Sequence, residues 1–305
     1  MANGIATGGS RGSVPERAPR WEAERVARAL PPLLLAALKV AETVTPGVHG
    51  RRRAGHGDSF WQYRHYEPGE PARHIDWRRS ARSDRPFVRE NENESAQSLW
   101  LWRDGSASMD WHSSSSLPRK SDRALLLLLA LASLLLRSGE QVTLFGSGLP
   151  PIRGARALDR LWLASTRQDP RAGTGLPPDD PLPRHAQAVL FGDFLVPLDR
   201  LAARLQGFAA RSVRGHLVQV LDPAEESFPL TGRIRFEGLE GERELLARRS
   251  ERLREGYLER LAEHRAGIAA LARRFGWTFA GHRTDRSPQT ALLALHAALM
   301  LPEAG

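Results

Sequence analysis

The chain contains no cysteine, which excludes disulfides, thiolate metal sites and cysteine nucleophiles and fits a reducing compartment. Lysine is nearly missing too: of 44 basic residues, only Lys39 and Lys120 are not arginine. No hydrophobic run is long enough to span a bilayer. The most apolar stretch, Ala124 to Leu136, is bounded by Arg123 and Arg137. As a helix it would cover about 20 Å, against a hydrocarbon core of roughly 30 Å. Residues 1–20 lack the apolar segment of a signal peptide. There is no Gly-x-x-x-x-Gly-Lys-Ser/Thr or Gly-x-Gly-x-x-Gly cradle for phosphates. Ser106 and Ser108 do not sit in Gly-x-Ser-x-Gly, and His112, His185, His216, His264, His282 and His296 show no triad or metal-ligand spacing. These gaps predict a cytoplasmic protein with no membrane span and no enzymatic activity, a serine-type hydrolase being kept as an alternative.

What is present is globular: 305 residues, 41% hydrophobic and 26% charged, enough for one large domain or two ordinary ones. A net charge of +9 and a pI near 11 invite a nucleic-acid reading. The charge is spread, however, with +4 on residues 1–95 and +5 on the rest. The one dense basic run, Arg51-Arg52-Arg53, is flanked by Gly50 and Gly55 and has no interleaved aromatics. It reads as a flexible loop suited to bidentate pairing with a partner's carboxylates rather than to nucleic acid.

Along the chain, residues 1–20 have the composition of a disordered tail. Residues 21–45 are helical in pattern, interrupted at Pro31-Pro32. Residues 46–95 are dense in Gly, Pro, Arg and aromatics and predict a small β-rich or irregular subdomain. From 96 to 301 the pattern alternates strand and helix. Apolar strands are expected at 98–103, 141–145, 188–191, 216–221 and 277–280, with a short edge strand near Ile152. Helices are expected at 121–138, 155–165, 198–211, 242–275 and 287–300, and a hairpin-like insertion at about 228–240. This is an α/β pattern: a doubly wound, mostly parallel sheet with helices on both faces. The loop 166–183 holds five prolines and is long enough to suggest a role.

The candidate chemistry lies where the apolar run Leu99 to Trp102 stops, at Asp104-Gly-Ser106-Ala-Ser108. Ligands of open α/β sheets bind at the carboxyl ends of strands. A carboxylate and two hydroxyls there form a hard oxygen set suited to Mg²⁺. Asp193 ends a later apolar run, and Thr174 stands in the proline-rich loop, so five oxygens from three segments are candidate ligands. Asp104 and the serines also suit simple capping, Asp193 a strand-end turn, and Thr166 shares Thr174's loop. Arg103 is an awkward neighbour for a cation, and strand alternation should turn it away from Asp104.

Four segments in order, Gly50-Arg-Arg-Arg-Ala-Gly-His-Gly57, Tyr66-Glu-Pro-Gly-Glu70, His74-Ile-Asp-Trp-Arg-Arg-Ser-Ala-Arg82 and Asp104-Gly-Ser-Ala-Ser-Met109, resemble the bacterial domain of unknown function 58 family over roughly residues 45–301. The resemblance implies a von Willebrand factor A-like domain behind a basic and aromatic segment. It also implies a MoxR-type AAA+ ATPase as partner, acting with it on an unknown client in complex assembly or maturation. The family's Mg²⁺-dependent adhesion-type site falls on Asp104, Ser106, Ser108, Asp193 and, less directly, Thr174. Many relatives carry two membrane helices ahead of this segment; their lack here favours a soluble partner protein. In that frame the expected function is a protein-interaction module in which Mg²⁺ engages a partner carboxylate. A rigid scaffold with a vestigial metal site is the alternative.

Overall fold

The computed structural model describes residues 32–44, 60–65, 80–81, 87–91, 98–154, 156–167, 174–236, 245–247 and 249–300. The expected tail at 1–20, the helical pattern at 21–31, Arg51, Arg52 and Arg53, and the Ile75-Asp76-Trp77 stretch lie outside them.

Helix α1 spans Pro32–Val44. Strands β1 (Phe60–His65) and β2 (Phe87–Asn91) pair antiparallel within the segment expected to be β-rich. The main domain then runs β3 (Ser98–Arg103), α2 (Lys120–Arg137), β4 (Gln141–Leu144), α3 (Ala157–Arg167), β5 (Gln187–Gly192), α4 (Leu198–Ala209) and β6 (Arg214–Leu221). It continues through α5 (Pro223–Ser227), β7 (Ile234–Phe236), β8 (Leu245–Ala247), α6 (Glu251–Arg274), β9 (Thr278–Arg283) and α7 (Pro288–Met300). Five strands form one parallel sheet in the order β4-β3-β5-β6-β9. Ile152 adds a single antiparallel bridge to Val142 at the β4 edge.

Strand alternation divides the core into two layers. Leu99, Leu101, Val189, Phe191, Val218 and Val220 face the layer built with α1, α2 and α7. Trp100, Trp102, Ala188, Leu190 and Leu217 face the layer built with α4 and α6, where Phe208 stacks on Trp277 with ring centroids 5.5 Å apart. Helix α2 is apolar all round because it is buried all round: one side meets the sheet, while α1 and α7 cover the other. Leu34, Ala37, Val40, Ala41 and Val44 of α1 are all buried in that packing.

Most boundaries fall within three residues of the sequence expectation, and one differs by more. The insertion is a hairpin of β7 and β8, extending to Ala247 rather than ending near 240, and the charged helix begins at Glu251 rather than 242. Helical propensity is a weak local bias; here Leu245-Leu246-Ala247 has an antiparallel partner in Ile234–Phe236. The Glu251 carboxylate accepts from Gly232 N at 2.7 Å and joins the base of the hairpin to the start of the helix.

Candidate functional site at the strand-end rim

From β3 the chain crosses to β4 on one side, then returns to β5 on the other. The sheet's topological switch point therefore lies between β3 and β5, where a crevice opens beyond the strand ends. Asp104 and Asp193 flank it. Asp104 N donates to Phe191 O at 2.7 Å, prolonging the β3–β5 ladder by one bond. Its fully buried carboxylate accepts from Ser106 N at 2.8 Å, an Asx turn that lifts the chain off the sheet. Ser106 stands at the N-cap position of a 3₁₀ turn over Ala107–Met109, and buried Met109 pins the turn to the core.

The serine hydroxyls form a directed chain. Ser108 Oγ donates to Asp193 Oδ2 at 2.7 Å, so its one proton is used and Ser106 Oγ donates to Ser108 Oγ at 3.0 Å. Capping is not the task of Ser106, whose side chain makes no cap bond.

Asp193 is held from several directions. Its Oδ1 accepts from Leu195 N at 3.2 Å, and its carbonyl accepts from the buried Gln219 Nε2 at 2.8 Å. Phe194 takes a left-handed φ of 51°, uncommon for a residue with a side chain. Packing of its ring against Trp102, and donation from His264 Nε2 to its carbonyl at 2.8 Å, hold that conformation. Gly192 is required by closeness: a Cβ there would lie 3.0 Å from Asp104 Cβ and 3.3 Å from Trp102 Cζ3.

Two charged residues that the sequence reading did not select complete the cluster. The Lys120 side chain, at the first residue of α2, is buried. Its Nζ donates to Asp193 Oδ2 at 3.0 Å and to Glu225 Oε1 at 2.6 Å. Burial works against this charge, but attraction and hydrogen bonding to the two carboxylates outweigh it and hold the ammonium above lysine's ordinary pKa. Glu225 belongs to the capping box of α5: its Oε2 accepts from Asp222 N at 2.8 Å, and Asp222 Oδ1 accepts from Ala224 N at 2.8 Å. The other oxygen of Asp222 accepts from Ser113 N at 3.0 Å, tying the serine-rich loop to the end of β6. The sequence signal was available in Asp222-Pro-Ala-Glu225, a helix-start signature, and in a lysine within an arginine-dominated chain.

Thr174 is placed differently from the other candidates. It is exposed, and its hydroxyl donates to Leu176 O at 3.4 Å within its own loop. That loop is seated by Gly175, at φ 71°, where a Cβ would lie 2.6 Å from Val196 Cγ1. Arg103 follows Trp102 and so turns toward the α2 layer, where Asp122 and Asp104 oppose the lowering of its pKa by burial.

The donor set suits Mg²⁺ in kind, being hard oxygens, but not in charge. Asp193 Oδ2 already accepts from Ser108 and from a buried ammonium, and its Oδ1 from a backbone N–H. A divalent ion sharing that carboxylate would stand beside Lys120. Among the described residues there is no group of three or more His, Asp or Glu able to hold a metal. As they stand, these residues do not fit a divalent site.

A parallel sheet with helices on both faces and Asp-x-Ser-x-Ser at the end of its interior strand β3 is the arrangement of a von Willebrand factor A-like fold. A profile of the family described as "Protein of unknown function DUF58" matches residues 62–267, more than half of the chain. The chain belongs to that family. It is 28% identical over 276 residues to uncharacterized proteins of Mycobacterium tuberculosis and Mycobacterium bovis, covering 86% of each chain. Similar solved structures include an aerotolerance-related membrane protein from Bacteroides fragilis (14% identity, 66% of this chain and 96% of that one, TM-score 0.40). BatB from Bacteroides thetaiotaomicron (15%, 66% and 98%, 0.38) and the SpRpn10 VWA domain (8%, 65% and 94%, 0.35) are two others. No helix among the described residues is long and apolar enough to cross a membrane.

Proposed function

We propose that this protein is a non-enzymatic interaction module that docks a partner across the rim beyond β3, β5 and β6, with a MoxR-type AAA+ ATPase as that partner. The observation that carries the reading is the preformed cluster of Ser106, Ser108, Asp193, Lys120 and Glu225, which stiffens a rim whose outer groups remain accessible. Leu195, two residues beyond Asp193, is 45% exposed, and Ser113 to Ser116, tied to the end of β6 through Ser113 N, are exposed as well. A rigid rim costs little ordering entropy on association, which favours binding. Against hydrolysis stands the direction of the serine chain: Ser108 gives its proton to a carboxylate, while His264 and His216 are engaged by Phe194 O and Thr278 Oγ1. Engagement of a partner carboxylate through Mg²⁺, as the family resemblance implies, would need an ion beside the Lys120 ammonium. Direct docking needs none.

The test is binding of the purified ATPase to the full chain, with and without EDTA, compared with Leu195→Asp. Binding that Leu195→Asp weakens about tenfold or more is the expected result. An ATPase that does not bind, or binds both proteins equally, overturns the reading.

A further inference from the structure

Only two lysines occur among 44 basic residues, and one of them is buried at the strand-end rim. Arginine is a wide planar fork, whereas lysine delivers a compact point charge. A chain that uses arginine nearly everywhere has kept the compact cation at the place where three segments bring oxygens together. Its position runs against two costs. A charged group resists burial, and a cation in the first turn of α2 opposes the helix dipole. Two charge-assisted hydrogen bonds, to Asp193 Oδ2 at 3.0 Å and Glu225 Oε1 at 2.6 Å, answer both costs. Through Asp193 the ammonium is joined to Ser108 after β3, and through Glu225 to the Asp222 cap after β6.

We propose that the Lys120 ammonium is the resident cation of this rim, balancing the charge that a divalent ion would otherwise balance, so that the wild-type site forms and docks without metal. Its side chain links the ends of β3, β5 and β6, and a cation that cannot dissociate makes the rim insensitive to divalent-ion supply. This goes beyond the interaction-module reading and does not depend on the partner's identity. Removing the ammonium while keeping its bulk leaves Asp104, Ser106, Ser108 and Asp193 as a latent site for a hard divalent cation.

The experiment titrates the full chain with Mn²⁺, followed by the loss of the free-ion electron paramagnetic resonance signal, and records melting in EDTA and in excess Mg²⁺. Wild type is expected to leave the free Mn²⁺ signal intact and to melt at one temperature in both buffers. Lys120→Met is expected to melt lower in EDTA, to recover in part with Mg²⁺, and to bind Mn²⁺ at least about tenfold tighter than wild type. Adding Asp104→Asn to that variant should abolish the gain. Stoichiometric Mn²⁺ binding by wild type that Asp104→Asn removes overturns the proposal. A folded Lys120→Met that takes up no Mn²⁺ overturns it as well. Should Lys120→Met fail to fold, the wild-type titration decides alone. No partner is present in these measurements, so their outcome is separable from the ATPase-binding test.

Discussion

Substituting Lys120 by methionine keeps the volume of the side chain and removes its charge, leaving Asp193 and Glu225 facing one another in a buried setting. Both carboxylates then lose a charge-assisted donor, at 3.0 and 2.6 Å. Breaking a buried ion pair by removing one partner costs about 3–5 kcal/mol, because the remaining charge is left uncompensated. Set against a typical total stability of about 5–15 kcal/mol, that is a large fraction. Replacing all three charges, Lys120→Met with Asp193→Asn and Glu225→Gln, removes the desolvation cost along with the attraction. The triple variant should therefore recover most of the loss. Urea unfolding followed by fluorescence of the buried Trp100, Trp102 and Trp277 measures each step. If Lys120→Met costs under about 1 kcal/mol, or the triple variant is no more stable than the single one, the ammonium does not hold the strand ends together and the reasoning fails.

Gly192→Ala should destabilise by about 1–3 kcal/mol, since its methyl would press on Asp104 Cβ at 3.0 Å and on Trp102; a denaturation midpoint unchanged from wild type would contradict this. Acid should weaken the fold through His282. Burial, aided by Arg123, pushes this ring from 6.5 down to about 4, so the unfolded chain binds a proton that the folded chain refuses. Stability is then full above about pH 6.5 and falls as pH drops toward 4, by about 3 kcal/mol in total for this group. Its buried Nε2 meets no acceptor in the protein, and His282→Phe should flatten that part of the pH–stability curve. An unchanged slope in the variant would assign the acid sensitivity elsewhere.

The sheet was legible from sequence because its strands are short apolar runs closed by turn residues. The stretches 98–103, 188–191 and 216–221 are nearly continuous in their burial, as strands of a parallel sheet covered on both faces are. The serines were legible for the same reason: Asp104 follows directly on the last apolar residues of β3 and their arginine, so the polar triplet had to fall at a strand end. Residues 242–249 misled because charged, helix-favouring composition says nothing about an antiparallel partner nine to thirteen residues upstream. Thr174 misled because a long loop leaves the direction of its hydroxyls open.

Sequence alone determined the order of elements, the burial of α2 and the oxygen character of the rim, since periodicity and residue chemistry are local properties. Only the tertiary structure decided what balances the charge of those oxygens. Lys120 lies 73 positions from Asp193 and 105 from Glu225, and no local pattern records that the three meet. The sheet's crossover at β3 and β5 brings them together, and the cost of burying an ammonium then requires that both carboxylates stay beside it.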